Sequence, residues 1–369
     1  MPPAQGVPAR VDPARLHDLA CAVHLHSNYS DGTATIPELM EDARDAERDV
    51  VLLTDHDTLG ARDDGHEGWH GSVLLGVGLE VTPRAGHFLA FGIEKKIKHK
   101  GVPEAEIPVA VAKAGGFGFA AHPFSKGARI LERYGFAVKR GLPHGWTDLE
   151  GEGLAGMELW SLTTDASEDW RGPVDAIRYM WNPEGQLDGP RPHDIAAWDG
   201  LCQTRRFVAI GGLDAHQHGI RVRDRLWSPM PNARYFRMLS TYVSLPEAPQ
   251  GGEAGQEDLG LVYDALREGR CYLSVDTFAP GRGFRFWGES GDEVVVMGEE
   301  RPAGGWTLRA SLPAMAEVTL LRNGSPVAQV SGTDLEHKVA ESGSYRLEAR
   351  RHWRGRERPW IISNPIYLR

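Results

Sequence analysis

The sequence predicts an α/β protein in which buried parallel strands alternate with helices. Short, wholly apolar runs recur along the first 290 residues, and such runs are typical of strands buried on both faces. Helix-forming segments lie between these runs, as in a parallel sheet wrapped by helices. The runs are Val50–Leu53, Val73–Val77, Phe117–Ala120 and Phe207–Ile210.

Helix boundaries are marked by capping residues. The helix predicted over residues 36–46 has Thr35 as its N-cap, a proline in its first turn, and Glu38 three residues after the cap, a capping-box spacing. Proline precedes a second helix over 108–114, and Gly269 ends a third over 257–268, before a strand at 271–275.

The pattern changes near residue 290, where alternating strands replace the strand–helix repeat. The pair Asn323-Gly324 predicts a hairpin turn between the runs at 317–321 and 327–330. Residues 306–310 and 345–349 alternate similarly. We therefore predict two domains, an α/β domain over 1–290 and a small antiparallel, β-sandwich-like domain over 291–369.

Composition limits the classes of function. The chain has 369 residues, 41% of them hydrophobic, and a net charge of -10, which disfavours a polyanion binder and predicts no stable nucleic-acid partner. No signal peptide or membrane span is readable, so we expect a cytoplasmic protein that acts on a small molecule without a membrane partner. Three widely separated cysteines are expected to be small buried side chains. The sequence does not indicate the oligomeric state.

Two histidines one residue apart open the most informative segment. His24 and His26 can emerge on the same face of a strand while Leu25 points into the core, so both imidazoles can approach one ion. Alone, this pair could equally be two histidines on an exposed strand.

Further histidines and carboxylates follow the predicted strands. The carboxyl ends of parallel strands lie at one edge of a sheet or barrel, where loops bring distant side chains together. Imidazole with carboxylate suits zinc, manganese or ferrous iron better than calcium or magnesium. The segments are Thr54-Asp55-His56-Asp57, Gly78-Leu79-Glu80, Gly86-His87-Phe88, Ala121-His122-Pro123 and Leu213-Asp214-Ala215-His216.

Taken in order, these segments contain the motifs H-x-H with S-D-G, T-D-H-D, a lone Glu after a strand, H-P and D-x-H. This ordered set resembles the PHP (polymerase and histidinol phosphatase) superfamily over most of residues 20–280. Glu80, the segment 86–92 and the tail 360–365 are similar to the branch that includes carbaryl-type metallohydrolases. The resemblance implies a distorted (β/α)7 barrel that holds two or three divalent ions, with manganese, zinc and iron as the candidates.

The same resemblance implies a ligand set. One ion would be held by His24, His26, Glu80 and Asp214, and a second by Glu80, His87 and His122. A third ion would be held by Asp31, His56 and His216. Some members carry His at the position of Asp31, and an oxygen ligand there favours manganese or iron, or weaker occupancy.

Catalysis would then use a hydroxide shared between two ions, because such coordination lowers the pKa of water from about 15.7 toward about 7. Glu80 would bridge the ions. Asp55 and Asp57 would orient a histidine ring or relay a proton, and capping the loop after the strand is an equal alternative for both. Arg84, Lys126 and Arg129 are candidate contacts to an anionic substrate, with ordinary solvated charges as the alternative for each.

Three functions remain open from the sequence. The leading hypothesis is a phosphoesterase of a small phosphorylated metabolite or nucleotide. The second is a metal-dependent hydrolase of an uncharged ester, carbamate or amide. The third is a non-catalytic metal-binding interaction module.

Overall fold

A computed structural model describes residues 12–127, 144–223 and 225–369. Within these ranges, no helix is both long enough and apolar enough to cross a membrane.

The N-terminal part carries seven of the eight described α-helices between its strands. The strands are β1 (His17–Val23), β2 (Val50–Leu53), β3 (Gly68–His70), β4 (Val73–Val77), β5 (Leu79–Val81), β6 (Phe88–Phe91), β7 (Phe117–Ala120), β8 (Gly156–Ser161), β9 (Val208–Gly212), β10 (Ile220–Val222) and β11 (Arg225–Trp227). The helices are α1 (Ile36–Asp45), α2 (Gly60–Asp63), α3 (Glu106–Lys113), α4 (Leu162–Asp169), α5 (Pro173–Trp181), α6 (Pro192–Thr204) and α7 (Asn232–Met238).

The rest of the chain is mainly antiparallel. Its strands are β12 (Ser240–Leu245), β13 (Cys271–Ser274), β14 (Arg285–Ser290), β15 (Glu293–Val296), β16 (Glu300–Arg301), β17 (Thr307–Arg322), β18 (Ser325–Lys338), β19 (Gly343–Trp353), β20 (Arg356–Ser363) and β21 (Ile366–Leu368), with helix α8 (Gly255–Glu268) between β12 and β13.

Two groups of parallel strands form the centre of the N-terminal part, as the apolar runs predict. Strands β1, β2 and β4 pair in parallel, and so do β7, β8 and β9. All residues of β2, β4, β7 and β9 are buried, because helices and neighbouring strands cover both faces.

The described strands do not close into a barrel. They form sheets of 14, five and two strands, and the pairings β5–β6, β6–β7 and β1–β12 are antiparallel. The two large sheets approach each other through single bridges, Leu25 with Ala215 and His56 with Glu80. The fold is therefore mixed α/β, and the predicted (β/α)7 barrel is not confirmed.

Two helix ends lie at the capping residues that the sequence predicts for them. The Thr35–Glu38 capping box is present at the start of α1, and Gly269 ends α8 with a φ of 77°, a left-handed conformation that favours glycine.

The C-terminal strands continue the sheet of the N-terminal part. Strand β13 pairs with β12 on one side and with β20 on the other, so the 14-stranded sheet runs across the predicted boundary at residue 290. A separate β-sandwich-like domain is not confirmed, and the division into 1–290 and 291–369 stays a prediction.

Two strands that the sequence predicts separately in this part form one continuous strand. Residues 307–310 of the first and 317–321 of the second belong to β17, which has a register shift between Ser311 and Ala316 around Pro313. Proline cannot donate to the ladder, which explains the interrupted pattern. Asn323 and Gly324 form the predicted turn with φ values of 51° and 80°.

Candidate metal centre

The two histidines of the H-x-H motif lie directly after β1 with fully buried side chains. His24 Nε2 is 3.5 Å from both Glu80 Oε2 and Asp214 Oδ1, and His26 Nε2 is 3.4 Å from the same two oxygens. The four residues predicted to hold the first ion therefore meet around one point.

Glu80 lies between two groups of histidines. Its Oε2 faces His24 and His26 and lies 2.9 Å from His56 Nδ1, whereas its Oε1 lies 2.9 Å from His87 Nδ1 and 3.2 Å from His122 Nε2. One carboxylate thus presents an oxygen to each group, which is the geometry of a bridging ligand.

A third group lies on the other side of His26. Asp31 Oδ1 is 3.2 Å from His216 Nε2 and 3.6 Å from His56 Nε2, and the His26 and His216 rings stack with centroids 4.1 Å apart. All nine predicted metal ligands therefore lie in one connected cluster.

The sets of ligand atoms that lie close to one another differ in part from the predicted ligand sets. Ligand atoms within 4.8 Å of one another form three sets, which share His24 or His26. The sets are His24, His26 and Asp214; His24, Glu80 and His122; and His26, Asp31, His56 and His216.

The cluster fits divalent metal ions. Tetrahedral ligands about 2.1 Å from an ion lie about 3.4 Å apart, which matches the nitrogen–oxygen distances around His24 and His26. Several buried polar atoms of the cluster have no hydrogen-bond partner of suitable geometry among the described residues, and bound ions would satisfy a carboxylate oxygen or one nitrogen of each ring. These atoms include His24 Nε2, both ring nitrogens of His26, Glu80 Oε2 and His122 Nδ1.

Three residues of the cluster have strained backbones. His24, His122 and Asp214 have φ values of 61°, 28° and 48°, which side-chain-bearing residues rarely adopt. Such strain costs about 1–3 kcal/mol per residue and persists at functional sites where the surrounding structure enforces it.

In the metal-free cluster, burial and the neighbouring carboxylates change the pKa of His24 and His56 in opposite directions. Burial lowers the pKa of His24, but Glu158, Asp214 and Glu80 outweigh burial and hold it well above its usual value. Burial also lowers the pKa of His56, yet Glu80 and Asp31 raise it to about 9.

The pKa values of three other members of the cluster, His26, Glu80 and Asp214, are lowered. Burial and the neighbouring His216 lower the pKa of His26 to about 3, so this ring is neutral and ready to bind a cation. Burial raises the pKa of Glu80 and Asp214, but the surrounding histidines outweigh it and hold both carboxyls well below their usual range.

Glu158, which we did not predict from the sequence, supports two ligands from strand β8. Its Oε1 lies 2.8 Å from His24 Nδ1, and its Oε2 accepts a hydrogen bond from the backbone N–H of His122 at 2.7 Å. With Nδ1–H donated to Glu158, His24 Nε2 keeps its lone pair for an ion. The signal was a single glutamate within the buried run Gly156–Ser161.

The two aspartates beside His56 hold loops. Asp55 accepts hydrogen bonds from the backbone and hydroxyl of Ser27 and from the hydroxyl of Ser30. Asp57 accepts from the backbone and hydroxyl of Thr82, and its Oδ1 lies 3.1 Å from His99 Nε2. These contacts match the loop-capping alternative, and no described hydrogen bond joins either carboxylate to a ring of the cluster.

The predicted substrate contacts are not brought to the cavity. Arg84 and Lys126 are exposed and do not line it, and Arg129 lies outside the described residues. His144, absent from our predictions, does line it, and its ring stacks on that of His87 with centroids 4.2 Å apart. The cavity has a volume of about 130 Å³ and is also lined by Ser125, Gly127, Thr164, Ser167 and Glu168.

Several solved structures are similar to this chain. No protein-family model and no curated protein matches the sequence. A two-domain protein from Bacteroides vulgatus that contains a predicted PHP-like metal-dependent phosphoesterase is similar in structure, with 16% identity, 96% of each chain covered and a TM-score of 0.45.

Two further structures match about half of the chain. One is a protein from Bifidobacterium adolescentis classed by inference as a metal-dependent phosphoesterase, with 18% identity, coverage of 56% of this chain and 92% of that one, and a TM-score of 0.30. The other is an amidohydrolase from Chromobacterium violaceum with bound sulfate and no metal, with 15% identity, coverage of 53% and 87%, and a TM-score of 0.29. Of these three structures, the Bacteroides vulgatus protein is the one described as PHP-like. The likeness of this chain to carbaryl-type hydrolases stays a prediction.

Proposed function

We propose that this protein is a metal-dependent hydrolase, and that its substrate is a small phosphorylated metabolite or nucleotide. The observation that carries the proposal is the position of Glu80, whose two oxygens face separate groups of histidines. Glu80 and the histidines on its two sides would hold a pair of ions, which would supply the Lewis acidity that hydrolysis of a phosphoester uses.

The residues that would hold the ions are the nine of the cluster, and manganese, zinc and iron suit their nitrogen and oxygen donors. When bound, the ions would act as Lewis acids on a substrate oxygen and would lower the pKa of water, so that no side-chain nucleophile is needed.

The remaining side chains position this machinery. Glu158 fixes the ring of His24 and the backbone of His122, while the Thr164 hydroxyl donates to Asp214 Oδ2 and leaves Oδ1 directed toward His24 and His26. Ser125 and Ser167 also line the cavity, and their hydroxyls donate to Glu168 Oε1 and to the Thr164 carbonyl.

One observation favours a second candidate, the hydrolysis of an uncharged ester, carbamate or amide. The described residues that line the cavity include no lysine and no arginine, so their side chains supply no fixed positive charge for a phosphate. The positive charge that a phosphoester needs would come from the bound ions.

A substrate panel separates the two candidates. Protein loaded separately with manganese, zinc or iron is assayed with p-nitrophenyl phosphate, nucleotides, a naphthyl ester and a naphthyl carbamate. Release of phosphate that disappears in His24→Ala and Asp214→Asn supports the phosphoesterase. Turnover of only the naphthyl compounds supports the second candidate, and bound metal without turnover of any substrate contradicts both and favours a non-catalytic module.

A further inference from the structure

Glu168, on helix α4, is the acceptor of an unusual set of hydrogen bonds at the cavity wall. Its Oε1 accepts from the Ser125 hydroxyl at 2.6 Å and from the backbone N–H groups of Lys126 and Gly127 at 2.8 Å each. Three donors from one loop therefore converge on a single oxygen of a side chain that is only 4% exposed.

The loop that Glu168 holds begins at a predicted metal ligand. His122 lies two residues after the end of β7, and the backbone N–H of Ser125 donates to the His122 carbonyl at 2.9 Å. A shift of Ser125 would therefore be transmitted to His122, whose ring faces Glu80. The strained φ of His122 shows that this conformation needs outside support.

The second oxygen of Glu168 is also engaged. Arg191 Nη1 lies 3.1 Å from Glu168 Oε2, and the same guanidinium contacts Asp165 and the exposed Asp169. Hydrogen bonds to an ionised carboxylate are roughly twice as strong as neutral ones, so a carboxylate holds the loop more firmly than an amide would.

The neighbouring residues of the same segment hold other ligands. Thr164, one turn earlier on α4, donates to Asp214, and Glu158, on the strand that leads into α4, contacts His24 and His122. The segment from residue 158 to 168 thus contacts predicted ligands from three different parts of the chain without itself supplying one.

We propose that Glu168 is a positioning residue that sets the affinity of the ion bound by His122, by holding the loop of residues 122–127 against α4. The proposal rests on the proposed function only in that this function requires the ion. Glu168 itself takes no part in the chemical step.

The test compares Glu168→Gln with Asp169→Asn in the full-length protein. Glutamine keeps the shape of Glu168 but removes the charge that faces three donors and Arg191, whereas the Asp169 variant removes another partner of Arg191 and leaves the loop untouched. Each metal-free protein is titrated with manganese or zinc against a chelator, and its melting temperature is recorded.

We expect Glu168→Gln to weaken one binding step by about 10–100-fold, the usual effect of losing a partner that orients a ligand. Asp169→Asn should bind as the wild type does. Equal affinities for the two variants, or a lower melting temperature with unchanged affinity of the folded protein, would overturn the proposal.

A second variant covers the case in which Glu168→Gln does not fold. Ser125→Ala removes one donor from the opposite side of the contact, and we expect it to weaken the same binding step by a smaller factor. Unchanged affinity in that variant would count against the proposal. Because the readout is metal affinity, a wild-type protein that binds ions but hydrolyses nothing would contradict the proposed function and leave this test intact.

Discussion

Glu80 is the side chain on which the cluster depends most directly. Both of its oxygens are within 3.5 Å of histidine nitrogens, and the side chain is fully buried. Replacing it with glutamine keeps the volume but puts an amide N–H₂ where an anionic oxygen faced the rings. The result is a loss of ligand charge at two ion positions at once.

We expect Glu80→Gln to lower kcat by at least about 100-fold, since the loss of residues that only orient a ligand already costs up to that factor. Metal content measured by elemental analysis should fall in parallel. Glu357→Gln, a change at an exposed strand position, is the matched control. Full metal content and activity in Glu80→Gln would show that the carboxylate does not bridge ions.

Gly212 shows how a residue without a side chain can shape the same site. A Cβ atom at this position would lie 1.7 Å from Glu158 Oε1, so only glycine leaves room for the carboxylate that contacts His24.

Gly212→Ala should therefore displace Glu158 and weaken metal binding by about 10–100-fold. Gly200, on α6, has open space around its Cβ position, and Gly200→Ala should bind metal normally. Chelator competition measures both affinities. A Gly212→Ala protein with wild-type affinity would argue against a positioning role for Glu158.

Among the connecting segments, the loop from β1 to α1 supplies three predicted ligands and is held by one carboxylate. Asp55 accepts from Ser27 and Ser30, which lie between His26 and Asp31 in the sequence. Both the N–H and the hydroxyl of Ser27 therefore donate to this carboxylate.

We expect Asp55→Asn to lower the free energy of unfolding by about 1–3 kcal/mol, because the new amide cannot accept all of these hydrogen bonds. Metal affinity should fall with it. Asp63→Asn, at an exposed position of α2, is the control. If Asp55 instead relayed a proton, kcat would fall while stability, from denaturant unfolding, and metal affinity stayed unchanged.

The secondary-structure elements that carry the site were largely predictable from local patterns. The apolar runs at 50–53 and 73–77 coincide with β2 and β4, and the capping box at Thr35 locates the start of α1. These features depend on neighbouring residues in the chain, which is why sequence alone reveals them. The H-x-H spacing is local in the same sense.

Features that depend on contacts between distant residues were missed. Glu158 resembles any polar residue in a strand until its contacts with His24 and His122 are seen. The pairing of β13 with β20 joins residues about 90 positions apart, and no local pattern marks it. The same holds for the two large sheets, which the bridges Leu25–Ala215 and His56–Glu80 connect.

Considered over the entire chain, the C-terminal strands stabilise the part that carries the site. Asn364, fully buried after β20, accepts from the Ala209 N–H at 2.8 Å and donates to the carbonyls of Ala209 and Cys271 at 2.9 Å. One amide thus links the C-terminal segment to β9 and β13.

Asn364→Ala should lower the free energy of unfolding by about 3 kcal/mol, because three buried backbone groups lose their partner at about 1–3 kcal/mol each, with partial relaxation. Asn182→Ala, at an exposed helix end, should change it little. Denaturant unfolding followed by circular dichroism measures both. An unchanged midpoint in Asn364→Ala would indicate that the C-terminal strands form an independent domain.

The collected charges of the cluster also predict how pH acts on the metal-free and metal-bound protein. Burial lowers the pKa of His24, His56, His122 and His216, but nearby carboxylates raise each above its usual value of 6.5, that of His56 to about 9. A histidine whose pKa is raised on folding adds stability that is complete below its unfolded pKa and is lost as pH rises through the folded value.

The metal-free protein should therefore lose stability between about pH 6.5 and pH 9, while the metal-bound protein follows the opposite trend. An ion can bind these rings only after their protons leave, so metal affinity should increase with pH over the same range. The melting temperature, recorded from pH 6 to pH 9 with and without manganese, should show a metal-induced increase that grows with pH. An increase that is constant with pH would mean that the histidines are already neutral in the metal-free protein, and that the carboxylates around Glu80 do not hold protons on their neighbours.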